Sequence, residues 1–99
     1  MIDDELSRAV VAYLRGAGLA WPHRSLDAVA EVVGAGTAER LRPGLERLAD
    51  ETLYWPVDWG CHDLLSAMEV VRGGLAERHP ELSGDAVEAL VWEFSYVYR

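Results

Sequence analysis

The chain has 99 residues, with 17 Asp and Glu against nine basic residues and a formal charge of −8. A chain of this length holds one hydrophobic core, and with 51% hydrophobic and 26% charged residues it is too apolar to remain disordered. No apolar run approaches the roughly eighteen residues that a membrane span needs, so a single soluble domain over residues 1–99 is expected.

In chain order, Leu6, Val10, Tyr13, Leu14 and Ala17 recur at helical spacing behind an acidic first turn, which predicts helix one over 4–16, ended by Gly16 or Gly18. Ser25 is a good N-cap for the stripe Leu26, Val29, Ala30 and Val33, so helix two is expected over 26–33, stopping at Gly34. Thr37 offers the cap of helix three, which carries Leu41, Leu45 and Leu48 to about Glu51. Pro43 lies inside that stretch, so the helix is either kinked there or begins at Pro43.

Leu53-Tyr54-Trp55-Pro56-Val57 is short, aromatic and interrupted by proline, which reads as an edge strand or extended loop over 53–57. Asp58 then caps a fourth helix over 60–78 with the stripe Leu64, Leu65, Met68, Val71 and Leu75, stopped by Pro80. Ser83 caps the fifth, with Leu82 and Val87 placed as a hydrophobic staple. Val87, Leu90, Val91, Phe94 and Val97 form its core face. The expected fold is therefore mainly α: a small five-helix domain with a tri-helical first half, a short strand near 53–57 and two C-terminal helices.

The charge is unevenly spread. Residues 6–47 carry six Arg and four acids, whereas 48–71 carry five acids and no Arg, around Tyr54, Trp55 and Trp59. All basic residues are Arg, and Lys, Asn and Gln are absent, a bias expected of a GC-rich coding sequence. It also removes the carboxamides that read adenine edges in DNA.

The run from Leu26 to Gly34, then Ala35-Gly36-Thr37, then Leu41, Leu45 and Leu48, resembles the helix-turn-helix of the winged-helix superfamily over residues 6–53. Small Ala30 allows close helix approach, and Gly34 takes the turn. The resemblance implies DNA binding, with the helix that starts near Thr37 in a major groove and Arg24, Arg40, Arg42 and Arg47 on phosphates and bases. The chain departs from the family in three ways. Pro43 interrupts the recognition helix, Glu39 and Glu46 sit among its arginines, and Gly60 leads straight into a helical pattern where a second wing strand belongs.

Other chemistries find less support. Cys61 and His62 are adjacent, and adjacent helical residues point apart, so they do not clasp a metal; no C-x-x-C or H-x-x-x-H pair exists. Cys61 allows no internal disulfide, reads as a buried thiol beside a surface histidine, and is opposed as a nucleophile by the surrounding acids. No catalytic residue, metal or cofactor is expected. The acidic opening Met1-Ile2-Asp3-Asp4-Glu5 is unlike a signal peptide, which favours the cytoplasm.

The aromatics carry the strongest signal. Trp92 and Tyr96 are i, i+4 neighbours beside the core face of the last helix, placed to pack against the Trp55–Trp59 segment or to present a surface. The favoured reading is a non-enzymatic interaction module of adaptor, inhibitor, antitoxin or immunity type. It docks a basic protein partner through Trp55, Asp58, Trp59, Trp92 and Tyr96, with a homodimer through the last helix as the variant of that reading. A helix-turn-helix transcription regulator is the alternative.

Overall fold

The computed structural model describes residues 1–16, 18 and 20–98, and folds them into α1 (Asp4–Arg15), α2 (Leu26–Val33), α3 (Ala35–Leu53), α4 (Leu64–Arg78) and α5 (Gly84–Val97). The domain is mainly α, as expected. Ala17, placed above on the stripe of helix one, lies outside the described residues. No helix is long and apolar enough to cross a membrane.

Four helices start for the same local reason. Asp3, Ser25, Asp63 and Ser83 each hold extended backbone, and their side chains accept the amide N–H three residues on, from Leu6, Ala28, Ser66 and Ala86. Each cap satisfies a donor that the first helical turn leaves without a partner. At α5, Leu82 and Val87 are both buried on either side of Ser83, as the staple requires.

The junction of α2 and α3 works differently. The Gly34 N–H donates to the Ala30 carbonyl at 2.8 Å, while the Gly34 carbonyl accepts from Ala38 at 2.9 Å, so this one residue closes α2 and opens α3. Its φ of +92° and ψ of 152° belong to a region that glycine alone occupies without strain. Thr37, expected to cap the third helix, therefore lies inside its first turn. The helix does not begin at Pro43 either; it runs from Ala35 through Pro43 to Leu53. Pro43 and Glu39, whose carbonyl loses its helical donor, are both on the exposed side.

Two expectations around residues 53–63 are corrected. No strand occurs among the described residues: Leu53 ends α3, and Tyr54 to Asp58 form a connector. That connector alternates in burial, with Trp55 and Val57 packed on the core while Tyr54, Pro56 and Asp58 are exposed. The alternation is what a strand would show, but among the described residues there is no second strand to pair with it. Helix four starts at Leu64 on the cap Asp63, not on Asp58, because Asp58 heads a separate turn: its carbonyl accepts from Cys61 and His62 at 3.0 and 3.1 Å. The inward face of α4 is then Ala67, Val71 and Leu75, flanked by Leu64 and Met68, and Leu65 points outward at 73% exposure. Val97, assigned above to the core face of α5, is exposed in its last turn.

The core centres on α5, which packs against α1, α3 and α4. Ala86, Ala89, Leu90, Val91 and Phe94 are all fully enclosed there, so α5 is apolar around most of its circumference, as befits a central helix. The close approach of α1 to α2 rests on Gly16, where a β-carbon would overlap Ala12 and Ala28. Two ionic clamps tie α5 outward. Arg72 of α4 reaches Glu88 at 2.6 Å and also pairs with Glu69. Arg24, in the connector before α2, grips Glu93 of α5 and Asp50 of α3.

Candidate functional site

Three tryptophans flank the C-terminal half of the fold, and each is held by different chemistry. Trp55 lies in a notch of α4 where Gly74 has no side chain; a β-carbon there would overlap the indole. The Arg78 guanidinium covers its ring 5.0 Å from the centroid. Glu51 beside it accepts from His79 at 2.7 Å and pairs with Arg78 at 3.5 Å. Trp55 is thus a half-buried anchor of the connector.

Trp59 lies on the other side of that connector. Its ring is nearly parallel to Phe94, at 6.1 Å between centroids and 8° between planes, and 5.4 Å from Tyr98. Phe94 and Tyr98 are themselves 4.8 Å apart, one helical turn from each other on α5. The Tyr98 hydroxyl donates to the Leu53 carbonyl at 2.5 Å, joining this cluster to the end of α3. Tyr54, the next residue, is 80% exposed, and Trp59 is 46% exposed.

Asp58 closes the turn that carries Trp59. Its carboxylate accepts the Gly60 N–H at 3.0 Å and the Cys61 thiol at 3.3 Å. The thiol first, and then the amide, hold the Asp58 carboxyl below its ordinary range, so it is ionised at neutral pH. Cys61 is exposed, not the buried thiol expected, and His62 Nδ1 lies 2.6 Å from the Ser66 hydroxyl. Among the described residues no three His, Cys, Asp or Glu side chains are grouped to hold a metal ion.

The five residues expected to share one docking face are divided. Trp92 is half-buried with Arg15 over its ring at 4.5 Å, on the side of α5 that meets the end of α1. At about 100° per residue, Phe94 lies roughly 200° around α5 from Trp92, whereas Tyr96 lies about 40° from it. Trp59 therefore packs on the face of α5 away from Trp92 and Tyr96. Asp58 and Trp59 stay together, Trp55 faces α4, and Tyr98 joins Trp59, with exposed Tyr54 next in the chain to the Leu53 carbonyl that the Tyr98 hydroxyl holds. The i, i+4 pair of Phe94 and Tyr98 was the available signal for this.

Three of the four arginines that the helix-turn-helix resemblance assigns to DNA are engaged within the fold. Arg24 holds Glu93 and Asp50, Arg40 pairs with Glu5 at 3.1 Å, and Arg42 lies 3.9 Å from Glu39. Arg47 is exposed. A groove of about 630 Å³ runs along α1 beside α2, with Arg8, Val11 and Arg15 on one wall and Glu31 and Val32 on the other.

No family model, no curated protein and no solved structure matches this chain.

Proposed function

We propose that the chain is a non-enzymatic interaction module, acting in the cytoplasm, that docks a basic protein partner through the surface of Tyr54, Asp58, Trp59 and Tyr98. The observation that carries this reading is the half-exposed Trp59, backed by Phe94 and Tyr98, within a stretch that has five acids and no Arg. Aromatic rings held in place by neighbours lose little freedom on binding, and such residues supply most of the energy of protein contacts. Ionised Asp58 adds an attraction that favours a basic partner over an acidic one.

The helix-turn-helix reading draws less support, because Arg24 and Arg40 already hold carboxylates and Glu39 lies beside Arg42, so phosphates would compete with these acids. A photo-cross-linking residue at position 54, with the same residue at position 39 as control, separates the readings; the two lie roughly 22 Å apart along α3. The expected result is a basic protein cross-linked from position 54 alone and lost on Trp59→Ala with helicity intact. Cross-links between copies of this chain would replace the partner with a homodimer. Salt-sensitive retention of DNA, abolished by Arg40→Ala with Arg42→Ala, would overturn the proposal in favour of a regulator.

A further inference from the structure

Arginine over tryptophan is a contact this fold makes twice with its own residues: Arg15 covers Trp92 and Arg78 covers Trp55. In each case the cation lies against the electron-rich ring face. Among the described residues no arginine covers Trp59. The stretch 48–71 in which it sits contains none, although Trp59 is nearly half exposed and the stretch carries five acids.

The acids of that stretch divide instructively. Asp50 pairs with Arg24, Glu51 with Arg78 and His79, and Glu69 with Arg72. Asp63 is occupied as the cap of α4. Asp58 accepts the neutral donors of Gly60 and Cys61 and feels a weaker attraction from His62, and no described arginine pairs with it. Among the described residues, then, neither Trp59 nor exposed Trp21 has an arginine over its ring, and of these two only Trp59 has a carboxylate, Asp58, beside it in sequence.

We infer that Trp59 and Asp58 form a receptor for an arginine side chain of the partner, the guanidinium lying over the indole with Asp58 as its counter-ion. This deepens the interaction reading and rests on it. Arginine is favoured over lysine because a planar guanidinium stacks on a ring while its edge N–H groups still reach a carboxylate.

The test is an NMR titration of the folded chain with acetyl-Gly-Arg-Gly-amide, with the lysine and citrulline peptides in parallel. The readout is the indole N–H resonance that disappears in Trp59→Phe. The expected result is a saturable shift of that resonance with the arginine peptide, a weaker response to lysine and none to the uncharged citrulline. Asp58→Asn, which keeps an acceptor for the Gly60 N–H, is expected to weaken binding roughly two- to fivefold. Shifts on other acidic faces with the Trp59 resonance unmoved, or an equal response to citrulline, would overturn the receptor. If a basic partner still cross-links from position 54 in that event, the interaction reading stands and the arginine anchor alone falls. If the arginine peptide moves Trp59 while no protein cross-links, the receptor stands and the partner reading falls.

Discussion

Arg24 holds Glu93 through two parallel hydrogen bonds, Nε to Oε2 at 3.1 Å and Nη2 to Oε1 at 3.3 Å, and its remaining Nη1 reaches Asp50 at 2.9 Å. Glu93 is only 5% exposed on the central helix. Removing the arginine leaves that carboxylate enclosed without a counter-ion, and breaking a buried pair on one side costs about 3–5 kcal/mol. Arg24→Met is expected to lose about 3 kcal/mol, near the lower bound because Arg24 itself is partly solvated. Adding Glu93→Leu should recover most of it. Urea unfolding of the two variants checks this, and equal stability of Arg24→Met and wild type would mean the clamp is energetically idle.

The paired glycines of α4 should respond in opposite directions. Around Gly73 a β-carbon meets open space, so Gly73→Ala is expected to stabilise the helix by roughly 0.5–1 kcal/mol. At Gly74 the same methyl overlaps the Trp55 ring. Gly74→Ala should therefore destabilise by about 1–3 kcal/mol through displaced packing. Thermal melts of both variants suffice, and a stabilised Gly74→Ala would contradict the notch.

Gly34→Ala isolates backbone strain, since a β-carbon there touches nothing while its φ of +92° is one that alanine avoids. The expected loss is about 1–3 kcal/mol. Gly36→Ala, two residues further and inside α3, is the matched control and should gain stability instead. Melting temperatures that move together would rule out a conformational cause.

Acid should weaken the link between α4 and α5. Hydrogen bonding to Arg72 outweighs desolvation and holds the Glu88 carboxyl below its ordinary 4.5. A lowered carboxylate contributes stability that is fully present above the unfolded value and lost as pH falls through the folded one. The Glu88 contribution is thus expected to persist above pH 4.5 and to disappear below it. The pair is largely exposed, which limits it to about 1 kcal/mol or less. Comparing Glu88→Gln with wild type across this acid range reads the difference, which should vanish at the acid end.

What was legible in the sequence follows from how local its cause is. Ser25, Gly34 and Ser83 act on their own turns, so the bounds of the second helix and the start of the last could be placed from sequence spacing alone. Asp58 and Asp63 are equally good caps, and the choice between them depends on Gly60 and Cys61 folding back on Asp58, which spacing does not reveal. The grouping of Trp59 with Phe94 and Tyr98 depends on contacts 35 or more residues apart in sequence. The five-residue docking face drew on composition and helical phase within one segment at a time. It therefore could not show on which side of α5 Trp59 packs.

The Trp59 surface is assembled from a connector pinned to α4 by Trp55 and from the far end of α5, joined to α3 through Tyr98 and Leu53. None of these parts presents the surface alone. Whatever closes on it recognises the native chain and ignores the unfolded one, so occupancy and folding are coupled. A ligand at a hundred times its Kd would add about 2.7 kcal/mol to the unfolding free energy. By the same coupling, Gly74→Ala would loosen recognition without touching a single contact residue.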